Sequence, residues 1–134
     1  NRAIGQRQAG VLVSTDNGKS TAYAIKSTEE RGTMFIGPGV DVYEGMIVGE
    51  NKYQNDLAVN VSKAKNLTNE RSSNKDVTVV LKSPRRMSLE DCLDYVNNDE
   101  LVEVTPKSIR MRKKILNTDL RKKYEAHHPE EYAK

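Results

Sequence analysis

The chain has 134 residues, a length that suits one domain, because a second would be too small to hold a core of its own. Hydrophobic residues make up 36% and aromatic residues 5%, with no Trp and a single Phe (Phe35), against 31% charged; this mixture supports a modest core with polar loops. Lys and Arg number 22 and Asp and Glu 19, giving a formal charge of +3 that by itself identifies no partner. The lone cysteine, Cys92, excludes an internal disulfide and, with no leader-like segment, points to a reducing, cytoplasmic setting. No apolar run approaches the roughly 20 residues that cross a bilayer. Because it opens at Asn1-Arg2-Ala3 without Met, the chain is expected to be a piece of a longer protein.

Val11-Leu12-Val13 and Ala22-Tyr23-Ala24-Ile25 flank Asn17-Gly18, whose residues tolerate the positive φ of a tight turn, so this stretch reads as a hairpin. Met34-Phe35-Ile36 stops at Gly37-Pro38-Gly39, and Val40, Val42 and Met46-Ile47-Val48 follow around Gly45. Short strands cornered by glycine suggest a small, strongly bent sheet or a barrel. Leu57, Val59 and Val61 alternate with polar or small neighbours, and residues 77–81 form a second β-rich run; residues 62–76 between them are a long polar loop. Ser88 is an N-cap candidate with Asp91 three residues on, and Leu89, Cys92, Leu93 and Val96 share one face of a helix over about 88–97. Met87 is placed to staple against Cys92, which reads as a core residue. Leu101 to Val104 resumes as a strand, Pro106 interrupts, and Ile109 and Met111 then alternate with Arg110 and Arg112. Asn117 caps a short final helix anchored by Leu120 and Tyr124, ahead of a tail with His127 and His128. The fold class is therefore α+β, mainly β, with one domain over residues 1–116 and a helix and tail over 117–134.

No constellation for catalysis emerges. Asn17-Gly18-Lys19-Ser20 resembles the end of a phosphate-binding loop, but that loop needs a glycine at position 13, which is Val. Two adjacent histidines in a tail and one cysteine cannot complete a tetrahedral metal site, and no glycine-flanked serine offers a nucleophile. The sequence thus points to no catalytic residue, metal or cofactor.

Charge is segregated along the chain. Residues 62–86 carry seven bases against two acids, a net +5; residues 88–103 carry six acids and no base, −6; residues 107–123 carry eight bases against one acid, +7. A basic loop beside a cationic strand face suits phosphate contact, since neutralised phosphates release condensed counterions. The loop has no aromatic residue for base stacking, so backbone and shape contacts to folded RNA are expected. A protein-interaction module using the acidic helix at 88–96 is the alternative.

Several motifs in order resemble the C-terminal domain of the TypA/BipA translational GTPases. They are Gly5-Gln6-Arg7-Gln8 with Gly10-Val11-Leu12-Val13, Val42-Tyr43-Glu44-Gly45-Met46-Ile47-Val48-Gly49, Asn55-Asp56-Leu57, Leu67-Thr68-Asn69 with Arg71, and Asp99-Glu100-Leu101-Val102-Glu103-Val104-Thr105-Pro106 with Ser108-Ile109-Arg110. The resemblance implies a noncatalytic, monomeric ribosome-docking module. Its upstream domains would supply the GTPase with its GTP and Mg, and the parent would act in large-subunit assembly and in cold or other stress. In that family a loop contacts large-subunit rRNA and the acceptor end of A-site tRNA; here that role falls to Lys63, Lys65, Arg71 and Lys75. Ala64, Asn66 and Glu70 depart from the family's common loop residues. Arg85, Arg86, Arg110, Arg112 and Lys113 are expected to form a supporting basic surface.

Overall fold

The computed structural model describes residues 7–64 and 80–129. At its centre is β5 (Met46–Asn51), buried at five of its six positions. One edge of β5 pairs antiparallel with β1 (Val11–Ser14), across an irregularity between Leu12 and Val13. Its other edge is shared, β3 (Gly32–Met34) taking the C-terminal half and β8 (Ile109–Lys113) the N-terminal half. The parallel strand β6 (Leu57–Val59) extends the sheet beyond β1, and β7 (Glu100–Val104) extends it beyond β8. The result is an open, mixed, six-stranded sheet, the bent-sheet form of the expected α+β fold; it does not close into a barrel. A small second ladder joins β2 (Gly18–Lys19) to β4 (Asp41–Val42).

Apolar residues line both faces of the central strands because each face has its own cover. Leu12, Met46 and Val48 pack on one side with Ile25; Val11, Val13 and Ile47 pack on the other with Cys92 and Met111. Ile25 belongs to helix α1 (Ala22–Thr28) and Cys92 to α2 (Leu89–Tyr95). Burying either side chain contributes about 1.5–3 kcal/mol. Gly45 sits at the corner where three strands meet: its N–H donates to Ser14 O, its carbonyl accepts from Lys113 N, and its φ is +95°. A Cβ there would lie 2.8 Å from the Leu116 backbone, so a side chain is excluded on both counts.

Two sequence expectations fail here. The Asn17-Gly18 hairpin does not form, because residues 22–28 are helical: the Thr21 side chain caps α1 by accepting from Ala24 N, and Ala24, Ile25 and Thr28 face the core. β1 instead finds its partners in β5 and β6, from 34 or more residues away. Of the β-rich run at 77–81, residues 77–79 lie outside the described residues, and Val80 and Leu81 are not in a strand. The helix beginning after Ser88 forms with both halves of a capping box, Ser88 to Asp91 N and Asp91 to Ser88 N. Cys92 is its buried residue and Met87 packs beside it, whereas Leu93 stays 57% exposed. Burial pushes the Cys92 thiol up, with the Asp91 charge adding to the shift, which suits a core residue and not a nucleophile.

Helix α3 (Thr118–His127) begins at the Asn117 cap, which accepts from Leu120 N. Its anchor differs from the expected Leu120, which is exposed. Arg121 is buried in its place, its guanidinium donating to the carbonyls of Ile115 and Leu116. Tyr124 stacks on His128 at 3.9 Å.

Candidate nucleic-acid interface

Both ends of the basic loop are fastened to α1. On the entering side, Thr21 N donates to Val61 O and Thr21 Oγ1 donates to Lys63 O at 2.7 Å, the same hydroxyl that caps the helix. On the returning side, Lys26 Nζ donates to Val80 O at 2.9 Å and Glu29 Oε2 accepts from Lys82 N at 2.7 Å. Glu29 is 5% exposed and also faces Lys26 at 3.8 Å. A helix of seven residues is about 10 Å long, so residues 61–63 and 80–82 are held on one short platform. Lys63 is exposed there; Lys65, Arg71 and Lys75 lie outside the described residues. Arg85 follows at the returning side, its N–H on Met34 O, its guanidinium 2.8 Å from Glu50 and over the Phe35 ring. Arg86 is exposed beside it.

The β8 residues divide. Arg110 and Arg112 share one face: Arg110 lies 5.7 Å over the Tyr43 ring, and Arg112 reaches Glu103 at 3.3 Å. Glu103 also accepts from Tyr43 OH, and burial with that acidic partner drives the phenol far above its usual range. Lys113 is not part of this surface, which corrects the sequence expectation. Only 1% exposed, its ammonium contacts Asp56 at 2.5 Å and Asp99 and Glu100 at 2.8 Å. Alternation along β8 carries the signal: Lys113 falls on the side of Ile109 and Met111, two positions apart, while Arg110 and Arg112 face the opposite way.

Glu100 is the other half of this buried network. Arg7 grips it with both terminal guanidinium nitrogens, at 2.7 and 2.8 Å, and lies 4.7 Å over the Tyr95 ring. Burial alone would raise the Glu100 pKa, but the Arg7 hydrogen bonds and the Lys113 charge outweigh it and hold the carboxyl at about 2. Lys113 is likewise held above its ordinary value: burial opposes the charge, and Glu100, Asp56 and Asp99 together overcome it. Asp56, Asp99 and Glu125 bring carboxylate oxygens within 4.8 Å of one another. The Lys113 ammonium lies against two of them, Asp56 and Asp99, and offsets part of the cluster's negative charge.

The network also explains the acidic segment. Glu103, Asp99 and Glu100 hold Arg112, Lys113 and Arg7, and Asp91 caps α2. Three of the six acids, Asp99, Glu100 and Glu103, therefore neutralise the protein's own cations. Sequence reasoning missed Arg7, Thr21, Lys26 and Glu29. Thr21 ahead of Ala22 and Ala24 was a readable N-cap; the other three depend on partners distant in the chain.

Among the described residues no helix is long and apolar enough to cross a membrane. The family model for the TypA/BipA C-terminal domain matches residues 9–118. The large ribosomal subunit assembly factor BipA of Bacillus subtilis is 58% identical over 120 residues, which are 90% of this chain and 20% of that protein. A TypA-like protein of Arabidopsis thaliana, named as chloroplastic, is 56% identical over 82% of this chain and 16% of its own length. The BipA assembly factor of Escherichia coli K12 is 49% identical over 90% and 20%. The chain spans about a fifth of the length of these curated relatives.

Proposed function

Because this chain belongs to the TypA/BipA C-terminal domain family, we propose that it is the noncatalytic, RNA-contacting module by which a BipA-type GTPase engages the large ribosomal subunit. GTP and Mg would be handled by other domains, since Val13 stands where a phosphate-binding loop needs glycine. The observation that carries the reading is the double rooting of the basic loop on α1, through Thr21 to Lys63 O and through Lys26 and Glu29 to Val80 O and Lys82 N. A loop delivered from a fixed base presents Lys63, Lys65, Arg71 and Lys75 to rRNA and to the acceptor end of A-site tRNA. Arg85, Arg86, Arg110 and Arg112 support it through backbone phosphates. The protein would act in the cytoplasm, as a monomer, in large-subunit assembly and under cold or other stress.

The test replaces the four loop bases with Ala in the full-length protein and measures ribosome co-sedimentation. The expected result is weaker binding with a flatter salt dependence; binding unchanged across the salt series would refute the loop's role. A second reading, docking of a basic protein on α2, is supported by the exposed Leu89 and Leu93 beside the exposed Glu90. It requires charge reversal at Glu90 and Asp94 to weaken ribosome association more than the loop changes do.

A further inference from the structure

A cleft of about 500 Å³ opens between the turn joining β7 to β8 and the segment leading into β4. Ile36, Val40 and Ile109 give it apolar walls, and Lys107 and Arg110 bring positive charge to it. Its one acid, Asp41, is already taken by Lys19 at 2.7 Å, a hydrogen bond and charge that hold the carboxyl below its usual range. Unlike its neighbour Arg112, Arg110 makes no ion pair among the described residues; it rests over the Tyr43 ring and its charge also acts on Asp41, while the Nε of both arginines is buried without a hydrogen-bond partner. A guanidinium that lines a cleft without an ion pair of its own is a place where a partner anion belongs.

We infer that this cleft takes one unstacked nucleotide of an RNA strand, its base against Ile36, Val40 and Ile109 and its phosphate between Lys107 and Arg110. The inference rests on the RNA-contacting reading above and adds to it a second contact point, separate from the loop. A nucleotide fits because it joins a flat, largely apolar body to a single anion, and the volume suits one small ligand. An acidic peptide would satisfy the two cations but leave the apolar walls uncovered. Without an aromatic side chain among the described residues of its walls, the site discriminates poorly among bases, so all four mononucleotides bind similarly.

The test is a titration of the full isotope-labelled chain, followed by amide shifts at Lys107, Ile109 and Arg110. The probes are each 5′-mononucleotide, inorganic phosphate and a hexaglutamate peptide. Expected are saturable shifts with the mononucleotides, at least about tenfold weaker binding of phosphate alone, and about a tenfold loss in Arg110→Gln through the missing charged hydrogen bond. Ile109→Glu, at a partly exposed position, places a carboxylate at the cleft and should abolish the shifts while the rest of the spectrum is retained. Phosphate binding as tightly as nucleotide would reduce the site to a simple anion contact and overturn the inference; so would tighter binding of hexaglutamate, or an Arg110→Gln variant equal to the parent. The loop variant separates the two claims. If the loop reading fails, its ribosome binding is unchanged while mononucleotide shifts persist; if the cleft fails, the shifts are absent while the loop's salt dependence remains.

Discussion

Lys113 and Arg86 come from the two most basic stretches of the chain, yet one is 1% exposed among three carboxylates and the other stands in solvent. Around β8 and α3 the positive charge is largely used inside the domain. Lys113 holds Asp56, Asp99 and Glu100, Arg121 caps the carbonyls of Ile115 and Leu116, and Arg112 pairs with Glu103. Around the loop the arrangement is reversed: Lys82 meets Glu29 through its backbone N–H, and Lys63 is held through its backbone carbonyl, with its side chain exposed. Cations from stretches of similar charge thus do different work: Lys113 and Arg112 are spent on the protein's own acids, whereas Lys63 and Arg86 stand in solvent. Net charge per segment shows neither role; the burial of each cation and the partner it meets decide.

The contrast breaks most visibly at Lys113. Lys113→Ala leaves Asp56, Asp99 and Glu100 without their shared cation and should destabilise the domain by about 3–5 kcal/mol in urea unfolding, the usual consequence of stripping one member from a buried ion network. The same network sets an acid limit. Glu100 has a folded pKa near 2 against an ordinary 4.5, so its contribution is present above pH 4.5 and lost as pH falls from there toward 2. Glu100→Gln should flatten that part of the stability profile measured by thermal melting.

On the loop side the effects are smaller and pass through α1. Ile25→Ala empties a fully buried position under the platform and should cost about 2–5 kcal/mol while also weakening ribosome association. Glu29→Ala removes the acceptor for Lys82 N and should cost about 1–3 kcal/mol for the lost part-buried hydrogen bond to a charged group, with binding reduced more than in a surface control. Smallest is Ser88→Ala, which removes half of the α2 capping box. Its cost should be about 1 kcal/mol in chemical denaturation, with RNA contact unaffected.

How far the fold is readable follows from the range of each interaction. The Ser88 cap and the β7–β8 alternation are legible because their determinants lie within a few residues. Residues 22–25 mislead because four apolar residues fit either a strand or one turn of a helix, and the deciding features are the Thr21 hydroxyl and the core contact of Ile25. Summing charge along the chain puts Lys113 on the wrong surface, because its partner Asp56 lies 57 positions away. The loop's basic residues are visible from composition, but the base that holds them is not, since Lys26 and Glu29 follow directly on an apolar stretch that suits a strand equally well.

The proposed function requires the loop's cations to carry the largest share of the phosphate contacts, and the exposed Lys114, Lys122 and Lys123 by the C-terminal helix to carry none. The direct measurement is the slope of log binding constant against log salt for ribosome association of the full-length protein. It compares a variant with Lys63, Lys65, Arg71 and Lys75 changed to Ala against one with the exposed Lys114, Lys122 and Lys123 changed to Ala. The slope should flatten by roughly 0.7–0.9 for each phosphate that the loop no longer neutralises, and stay near the parent value in the second variant. Equal flattening in both, or none in the loop variant, would contradict the proposed function.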